Sequence, residues 1–218
     1  MIRANLLKIT SLFFLLLLLQ SHMLFGQDPF NERFEGGKRA LSDILMMNLI
    51  YPDDAHDNKK YGTSLAQIAL APSGETTFIL INSLDHLLDE EVLRVLELTR
   101  DNWLPTTETG DTIMLYIPVV FETSPEQIRL YASQHEHFFS PVTVKGYMPS
   151  LPEDEQYMTN FNQAIQNKNY EIALINLKEL IRRNPLNKEY YQISIQCKRL
   201  LHYPAEEYAH EIEMLQVL

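Results

Sequence analysis

The chain contains 218 residues, of which 45% are apolar and 10% aromatic, so it can bury a substantial core in one or two domains. The formal net charge is -11, and the basic residues form no stripe, which excludes a nucleic-acid-binding surface of clustered lysine and arginine. The single cysteine, Cys197, excludes an internal disulfide framework and a metal site built from cysteines. Its place in an apolar helical pattern predicts a buried side chain.

Residues 1–26 have the features of a secretory signal. Basic residues precede an unbroken apolar run, residues 12–19, and polar residues follow it. The small residue Gly26 favours cleavage after it, whereas Leu24 fits the small-residue rule of signal cleavage poorly, so an uncleaved membrane anchor is an open alternative. Both alternatives predict that the folded part works outside the cytoplasm.

Hydrophobic periodicity predicts two helices and three strands between residues 34 and 122. The predicted elements are a helix from Leu41 that ends at Tyr51-Pro52, a hairpin over residues 62–71 and 75–82, a helix from Leu88 that ends near Trp103, and a strand over residues 113–122. The turn chemistry of Pro72-Ser73-Gly74 is typical of a β-hairpin. This order predicts an α+β fold in which a small three-stranded antiparallel sheet packs with two helices.

The last predicted strand, IMLYIPVVFE from Ile113 to Glu122, is apolar on both faces yet contains Pro118 in its middle. Because proline has no N–H, it occurs within sheets on edge strands or at bulges. The strand is therefore predicted to be an edge, and an apolar edge that nothing covers tends to pair with other chains. We expect part of its cover to come from this protein and part from a partner peptide.

Beyond this strand, residues 123–152 are predicted to form a helix and a linker. Ser124-Pro125-Glu126-Gln127 is a capping box with proline at the first helical position, which predicts a helix to about Glu136. The residues that mark the linker are Pro141, Gly146, Pro149 and Pro152.

Residues 153–218 are predicted to be all helical, with short turns between antiparallel helices. The segment NYEIALINLKELIRRNPLN, from Asn169 to Asn187, resembles the second helix and closing proline of a tetratricopeptide (TPR) repeat. The matching positions are Tyr170, Ala173, Leu177, Leu180 and Pro185. The first-helix half departs from the motif, with Phe161 at a position that expects a small residue. A generic helical hairpin packed on the sheet domain is the open alternative.

Positions spread over residues 34–121 occur in the order and spacing of a known family. They are Phe34-x-Gly36-Gly37, Tyr51-Pro52 with Ala55, Gly62, Gly74, Leu88-Asp89-Glu90-Glu91-Val92, Trp103-x-Pro105 and Ile117-Pro118-Val119-x-Phe121. Together they resemble the C-terminal domain of TonB, the periplasmic protein that transmits inner-membrane energy to outer-membrane transporters. The resemblance implies a periplasmic domain over residues 34–122, in which most of these positions, such as Gly62 and Trp103, serve the scaffold.

The resemblance also implies a use for the last strand. In the family, a short extended segment of a transporter, the TonB box, adds itself as a further strand alongside this edge, where main-chain hydrogen bonds supply affinity. Alternate N–H groups of a strand point the same way, which gives one side the residues Met114, Tyr116, Pro118 and Val120. The expected partner-binding residues are Met114, Tyr116 and Val120, with Asn48 as a side-chain contact that matches a polar position of the family.

The sequence thus predicts an exported, non-enzymatic peptide-binding protein that serves TonB-dependent transport. Inner-membrane motor proteins and a second copy of the chain are further candidate partners, and a periplasmic scaffold acting through residues 153–218 is the alternative function. We expect no catalytic residue, cofactor or metal, since the chain has none of the common hydrolase, zinc or nucleotide motifs, and His135 and His137 cannot share a helix face. The short segment 27–34 replaces the long proline-rich spacer of the family, which puts direct force transfer in doubt.

Overall fold

The structure, a computed structural model, describes residues 28–105, 110–146 and 154–218. The α-helices in these ranges are α1 (Pro29–Arg33), α2 (Gly37–Asn48), α3 (Asp53–Asp57), α4 (His86–Glu97), α5 (Glu126–Ala132), α6 (Asp154–Gln166), α7 (Tyr170–Arg183), α8 (Lys188–Leu200) and α9 (Ala209–Val217). The strands are β1 (Gly62–Leu70), β2 (Thr76–Asn82), β3 (Ile113–Phe121) and β4 (Val142–Val144), and short 3-10 helices span Arg100–Asn102 and Ala205–Tyr208. The predicted signal or anchor, residues 1–26, lies outside the described residues.

The four strands form one mixed sheet in the order β2-β1-β3-β4. β1 is antiparallel to both β2 and β3, whereas β4 is parallel to β3. The α+β class is therefore as expected, and the three predicted strands are antiparallel neighbours, but the sheet also has a fourth, parallel strand that the prediction lacked. The fourth strand comes from the segment interpreted as a linker, and α5 supplies the crossover that a parallel neighbour requires.

One face of the sheet packs against α2 and α4. Leu41 and Leu45 of α2 are buried at helical spacing, and Leu88 and Val92 of α4 face the same core. Trp103 closes this layer, since its ring lies 4.9 Å from that of Phe34 in an edge-on arrangement. Its indole N–H donates to Thr99 Oγ1 over 3.0 Å, so the buried ring keeps its polar group satisfied.

The opposite face of the sheet packs against the C-terminal helices. Leu65 of β1 and Val120 of β3 are fully buried there. The side chains that cover them are Ile128 and Ala132 of α5, Leu186, Tyr191 of α8 and Met214 of α9. The helical region is thus a third layer of one structure, which explains why β3 is apolar on both of its faces.

Gly62 marks the closest approach between the sheet and the helical layer. Its φ is +128°, and a Cβ atom built on it would lie 2.6 Å from the carbonyl oxygen of Arg182. The next residue, Thr63, donates its hydroxyl to the carbonyl of Arg183 over 2.8 Å. The preceding residue, Tyr61, donates to Glu179 Oε2 over 3.1 Å. Three successive residues, at and just before the start of β1, therefore contact the last turns of α7.

The C-terminal helices have a core of their own beneath the layer contact. α6 and α7 pack as a hairpin, and the buried side chains between α6, α7 and α8 are Phe161, Ala164, Ala173, Leu177, Leu180, Tyr190 and Cys197. Cys197 is buried as expected, and its burial raises the pKa of its thiol. Asn169 caps α7 by accepting a hydrogen bond from the N–H of Ile172 over 3.3 Å.

Replacing Leu65 by alanine tests the contact between the sheet and the helical layer. Because Leu65 is fully buried between them, Leu65→Ala should lower the free energy of unfolding by about 2–5 kcal/mol. The measurement is urea unfolding followed by the fluorescence of Trp103. Ile175→Ala, at a side chain 66% exposed on α7, is the matched control and should change this free energy by less than about 0.5 kcal/mol. Equal effects of the two substitutions would contradict the layered arrangement.

Candidate functional site

The outer edge of β3, expected to be open, is paired within the chain. The N–H of Tyr116 donates to the carbonyl of His137 over 2.8 Å, and the N–H of Phe139 donates to the carbonyl of Tyr116 over 2.8 Å. Further along, β4 pairs with Val119 to Phe121, and the N–H of Glu122 donates to the carbonyl of Val144 over 3.1 Å. The prediction that β3 is a free edge is therefore wrong.

Pro118 lies between these two paired stretches. Tyr116 is bridged to Phe138, and Val119 is paired with Val142. Between these two pairs the chain advances three residues along β3 but four residues along the neighbouring segment. The extra residue makes a bulge opposite Pro118, the second place where a sheet accepts proline. The predicted orientation holds, because Tyr116 directs its N–H away from β1, and Pro118 shares that direction by alternation.

The four residues expected to bind a partner do not form one surface. Val120 is fully buried beneath the C-terminal helices, and Asn48 donates its side-chain amide to the carbonyl of Ile44 over 2.7 Å within its own helix. Met114 and Tyr116 do lie together, in a cleft of about 740 Å³ beside Phe138. The second layer of helices, which the strand pattern alone did not predict, accounts for the burial of Val120.

The cleft at Met114 is aromatic. The ring of Tyr116 stacks on that of Phe138 at 4.7 Å, and the ring of Tyr131 stacks on that of His135 at 3.9 Å. Burial raises the pKa of both tyrosines, and the neighbouring Tyr116 adds to the shift at Tyr131. These phenols are therefore protonated at neutral pH and can act only as neutral hydrogen-bonding groups.

A longer groove lies between β4 and α2, on the side of β4 that faces away from β3. It consists of two adjoining cavities of about 530 and 580 Å³ that share Met46, Val142 and Thr143. The other lining residues are Lys38, Arg39, Ser42, Asp43, Leu49, Ile50, Tyr51, Asp53, His56, Phe139, Ser140, Pro141, Val144, Lys145 and Gly146. We refer to this surface as the α2–β4 groove.

Main chain that pairs with no described residue borders the α2–β4 groove. Val144 directs its carbonyl at β3, where it accepts from Glu122, so by alternation Thr143 directs its N–H and carbonyl away from β3. Thr143 is exposed, whereas Val142 and Val144 are buried in the core beneath α2. β4 therefore offers one donor and one acceptor at the margin of the sheet, next to an apolar wall.

The apolar wall is the end of α2. Met46 and Ile50, which line the groove, are 71% and 60% exposed, and Met47, next to Met46 on the helix, is 76% exposed. Methionine side chains are flexible and polarizable, and surfaces rich in them adapt to varied apolar partners. An exposed cluster of this kind is typical of an interaction surface rather than of a solvated helix end.

Polar contacts with α4 hold the end of α2 in place. The N–H of Ile50 donates to Glu91 Oε1 over 2.8 Å, and Arg94 bonds both carboxylate oxygens of Glu91 at 2.7 and 2.8 Å. Arg94 also donates to the carbonyl of Asn48 over 2.8 Å. Asn48 thus terminates a helix end that α4 holds rigidly, and the wall of the groove is preformed.

Tyr51 and Gly146 close one end of the groove. The Tyr51 hydroxyl donates to the carbonyl of Lys60, and its burial, together with the charge of Glu122, raises the pKa of its phenol. A Cβ atom on Gly146 would lie 2.9 Å from both the Tyr51 and His56 rings, so only glycine fits at this corner. Gly146 in turn donates its N–H to Glu122 Oε2 over 2.6 Å.

The sequence held a signal for β4 that the linker interpretation missed. Val142, Thr143 and Val144 are three consecutive β-branched residues, which favour strands. Their neighbours Pro141 and Gly146 were typical of a loop and outweighed so short a run. The exposed pair Met46 and Met47 could have been noticed as apolar residues off the buried stripe of the first helix.

Comparisons with protein-family models, with curated proteins and with solved structures found no match. Within residues 28–105, 110–146 and 154–218, no helix combines the length and apolar character needed to cross a membrane. In the same ranges, no three His, Cys, Asp or Glu side chains are grouped as metal ligands would be.

Amide hydrogen exchange measured by NMR tests the pairing of β3 directly. Because the amides of Tyr116 and Glu122 donate to main-chain carbonyls, they should exchange about 100-fold more slowly than that of Thr143, which points away from the sheet. The Met114 amide, which points into the cleft, serves as a second fast reference. If the amides of Tyr116 and Glu122 exchanged as fast as that of Thr143, this result would contradict the pairing of β3 and support the open edge that the sequence predicts.

Proposed function

We propose that the protein is an exported, non-enzymatic binding protein that holds an extended peptide in the α2–β4 groove. The observation that carries the proposal is the outward main chain of the exposed residue Thr143 beside the apolar wall of Met46 and Ile50. An added strand would bond to Thr143, and its alternate side chains would rest on Met46 and Ile50, which is the arrangement of β-augmentation.

The resemblance to the TonB C-terminal domain supports a peptide-binding site on the same side of the sheet. In that family the partner segment lies beside the last antiparallel strand, and in this chain residues 138–144 lie beside β3. The position beside β3 is therefore occupied in this chain, and a partner strand would pair with β4 instead. Asn48, expected to lie next to the bound segment, ends the helix that forms the wall of the groove.

The proposed partner is a short extended segment of an outer-membrane transporter, of the kind that the family calls the TonB box. The rim of the groove carries both signs of charge, with Lys38 and Arg39 near Asp43 at one end and Lys145 near Asp53 at the other. A mixed rim suits a polar peptide whose apolar side chains alternate, and it disfavours a strongly charged partner. Export and a periplasmic location rest on the secretory features of residues 1–26.

A scaffold function of the helical region is the second candidate. One observation favours it: Ile172 and Ile175 lie exposed on α7, three residues apart and therefore on one side of the helix. Against it, Leu186, Tyr191 and Met214 of the same region are already used to cover the sheet. Those three side chains are therefore not free to bind a partner.

Replacing Thr143 by proline tests the proposed groove. Thr143→Pro removes an N–H that points away from β3, so the internal ladder of the sheet should stay intact while an added strand loses a hydrogen bond and meets the proline ring. The affinity for a fluorescent synthetic TonB-box peptide, measured by anisotropy, should fall about 10-fold or more. Thr143→Ala, which keeps the N–H, should bind within about 2-fold of the unaltered protein.

The second candidate is separated by a substitution on α7. If the groove is the binding site, Ile175→Asp should leave the affinity for the peptide unchanged. If the helical region is the binding site, the same substitution should abolish the binding of a partner protein in a pulldown. Equal peptide affinities of Thr143→Pro and Thr143→Ala would refute the groove, provided that their far-UV circular dichroism spectra match that of the unaltered protein.

A further inference from the structure

Among the residues that the structure describes, β2 forms the long open margin of the sheet, at the end opposite β4. Glu75 directs its carbonyl at β1, where it accepts from the N–H of Ala71 over 2.9 Å. Thr76, the next residue, directs its carbonyl outward, where the guanidinium of Arg100 donates to it. By alternation, Phe78 and Leu80 also direct their N–H and carbonyl groups outward from the sheet.

Arg100 covers one end of this margin, at the Thr76 carbonyl and over the Phe78 ring, 4.9 Å from its centroid, but within the described residues the rest of the margin lacks the features that usually keep edge strands apart. Proteins protect exposed edges with short strands, charged side chains, prolines or bulges that twist the edge away. β2 is seven residues long, its sequence TTFILIN has no charge and no proline, and its bulge lies at its far end, beyond Leu80. Ile79, at the middle of the strand, is 44% exposed.

We propose that β2 pairs with β2 of a second copy of the chain, antiparallel and about a two-fold axis at Ile79. Outward-facing residues must bond to outward-facing residues, so Phe78 of one copy pairs with Leu80 of the other, and Leu80 with Phe78. Each such pair exchanges two main-chain hydrogen bonds. Between them the two Ile79 side chains lie directly opposite in a non-hydrogen-bonded pair, where side chains approach most closely.

The charge distribution of the chain favours a second copy as the occupant. The net charge of -11 makes two copies repel in general, yet the margin from Thr76 to Asn82 brings no charged residue opposite its own equivalent. The antiparallel arrangement places the Arg100 end of one strand beside the uncharged Asn82 end of the other. Arg100 is itself paired with Glu97 at 2.6 Å, and the charges of Asp101 and Glu75 also act on it, so this end carries no excess of positive charge.

The proposed pairing is closed and leaves the α2–β4 groove accessible. A two-fold contact uses the same margin in both copies, and the opposite margin, β4, is only three residues long, so the assembly stops at two chains. The result is a continuous sheet across both copies with one groove at each outer end. The inference does not depend on the peptide-binding proposal, since it concerns the other margin of the sheet.

Complementary charges at Ile79 test the pairing. Ile79→Lys and Ile79→Glu each place two like charges face to face at the two-fold axis, whereas a mixture of the two variants places lysine opposite glutamate. Sedimentation equilibrium and light scattering should give twice the chain mass for the unaltered protein. Each variant alone should dissociate about 10-fold or more readily, and the equimolar mixture should recover the dimer.

Ile175→Lys is the matched control, because it puts the same charge on an exposed isoleucine away from β2, and it should remain dimeric. Circular dichroism checks that each variant is folded. Three results would each overturn the proposal: an unaltered protein that is monomeric at 100 µM, on the order of weak homodimer affinities; variants that stay dimeric; or a mixture that stays monomeric. A monomer whose β2 amides become protected only when a synthetic extended peptide is added would instead assign the margin to a foreign strand.

Discussion

The main-chain pairing between β3 and residues 137–144 is the contact on which the rest of the structure depends. β3 is apolar on both faces, and helices bury both faces. Because water has little access to the strand, its outward N–H and carbonyl groups need hydrogen-bond partners within the protein. The chain solves this with a parallel neighbour of its own, joined through α5. Once β3 is internal, the open margins of the sheet become β2 and β4, and every proposal about recognition moves to them.

Much of the fold follows from local sequence patterns, and the part that does not has a physical reason. The hairpin, the strand β3 and the helices α2 and α4 are long periodic segments whose apolar faces are buried as their spacing indicates. β4 has only three residues, too few for a period, and its place is set by pairing with a strand more than twenty residues earlier along the chain. The β-branched run from Val142 to Val144 favours a strand, but it does not indicate which strand it pairs with.

The candidate site was less predictable than the fold. The orientation of Tyr116 and Pro118 followed from strand alternation, but Val120 lies under helices whose docking depends on Leu186, Tyr191 and Met214, far along the chain. The apolar second face of β3 and the helical pattern of residues 153–218 were the available signs of such a layer, and the alternative of a helical hairpin packed on the sheet anticipated it. The wrong edge came from interpreting Pro118, together with the family resemblance, as the mark of an open strand, although a bulge also accepts proline.

The two margins of the sheet differ in a way that suits different partners. β4 is short, flanked by Pro141 and walled by Met46 and Ile50, so it offers few main-chain bonds and much side-chain contact. β2 is longer and uncharged, so main-chain bonds dominate there and a self-complementary strand fits. A protein that joins to its copy at one margin and holds a peptide at the other presents two equivalent grooves.

The most direct test of the central pairing is a disulfide between β3 and β4. Val120 and Thr143 are register partners, and Cα atoms on neighbouring strands lie about 4.8 Å apart, within the range that a disulfide spans. Val120→Cys with Thr143→Cys, in a Cys197→Ser background, should oxidise to a single intramolecular link found by mass spectrometry. Met114→Cys with Thr143→Cys should not, because Met114 lies about 20 Å from Val120 along β3. A folded protein that keeps the thiols at 120 and 143 free under the same oxidation would contradict the account.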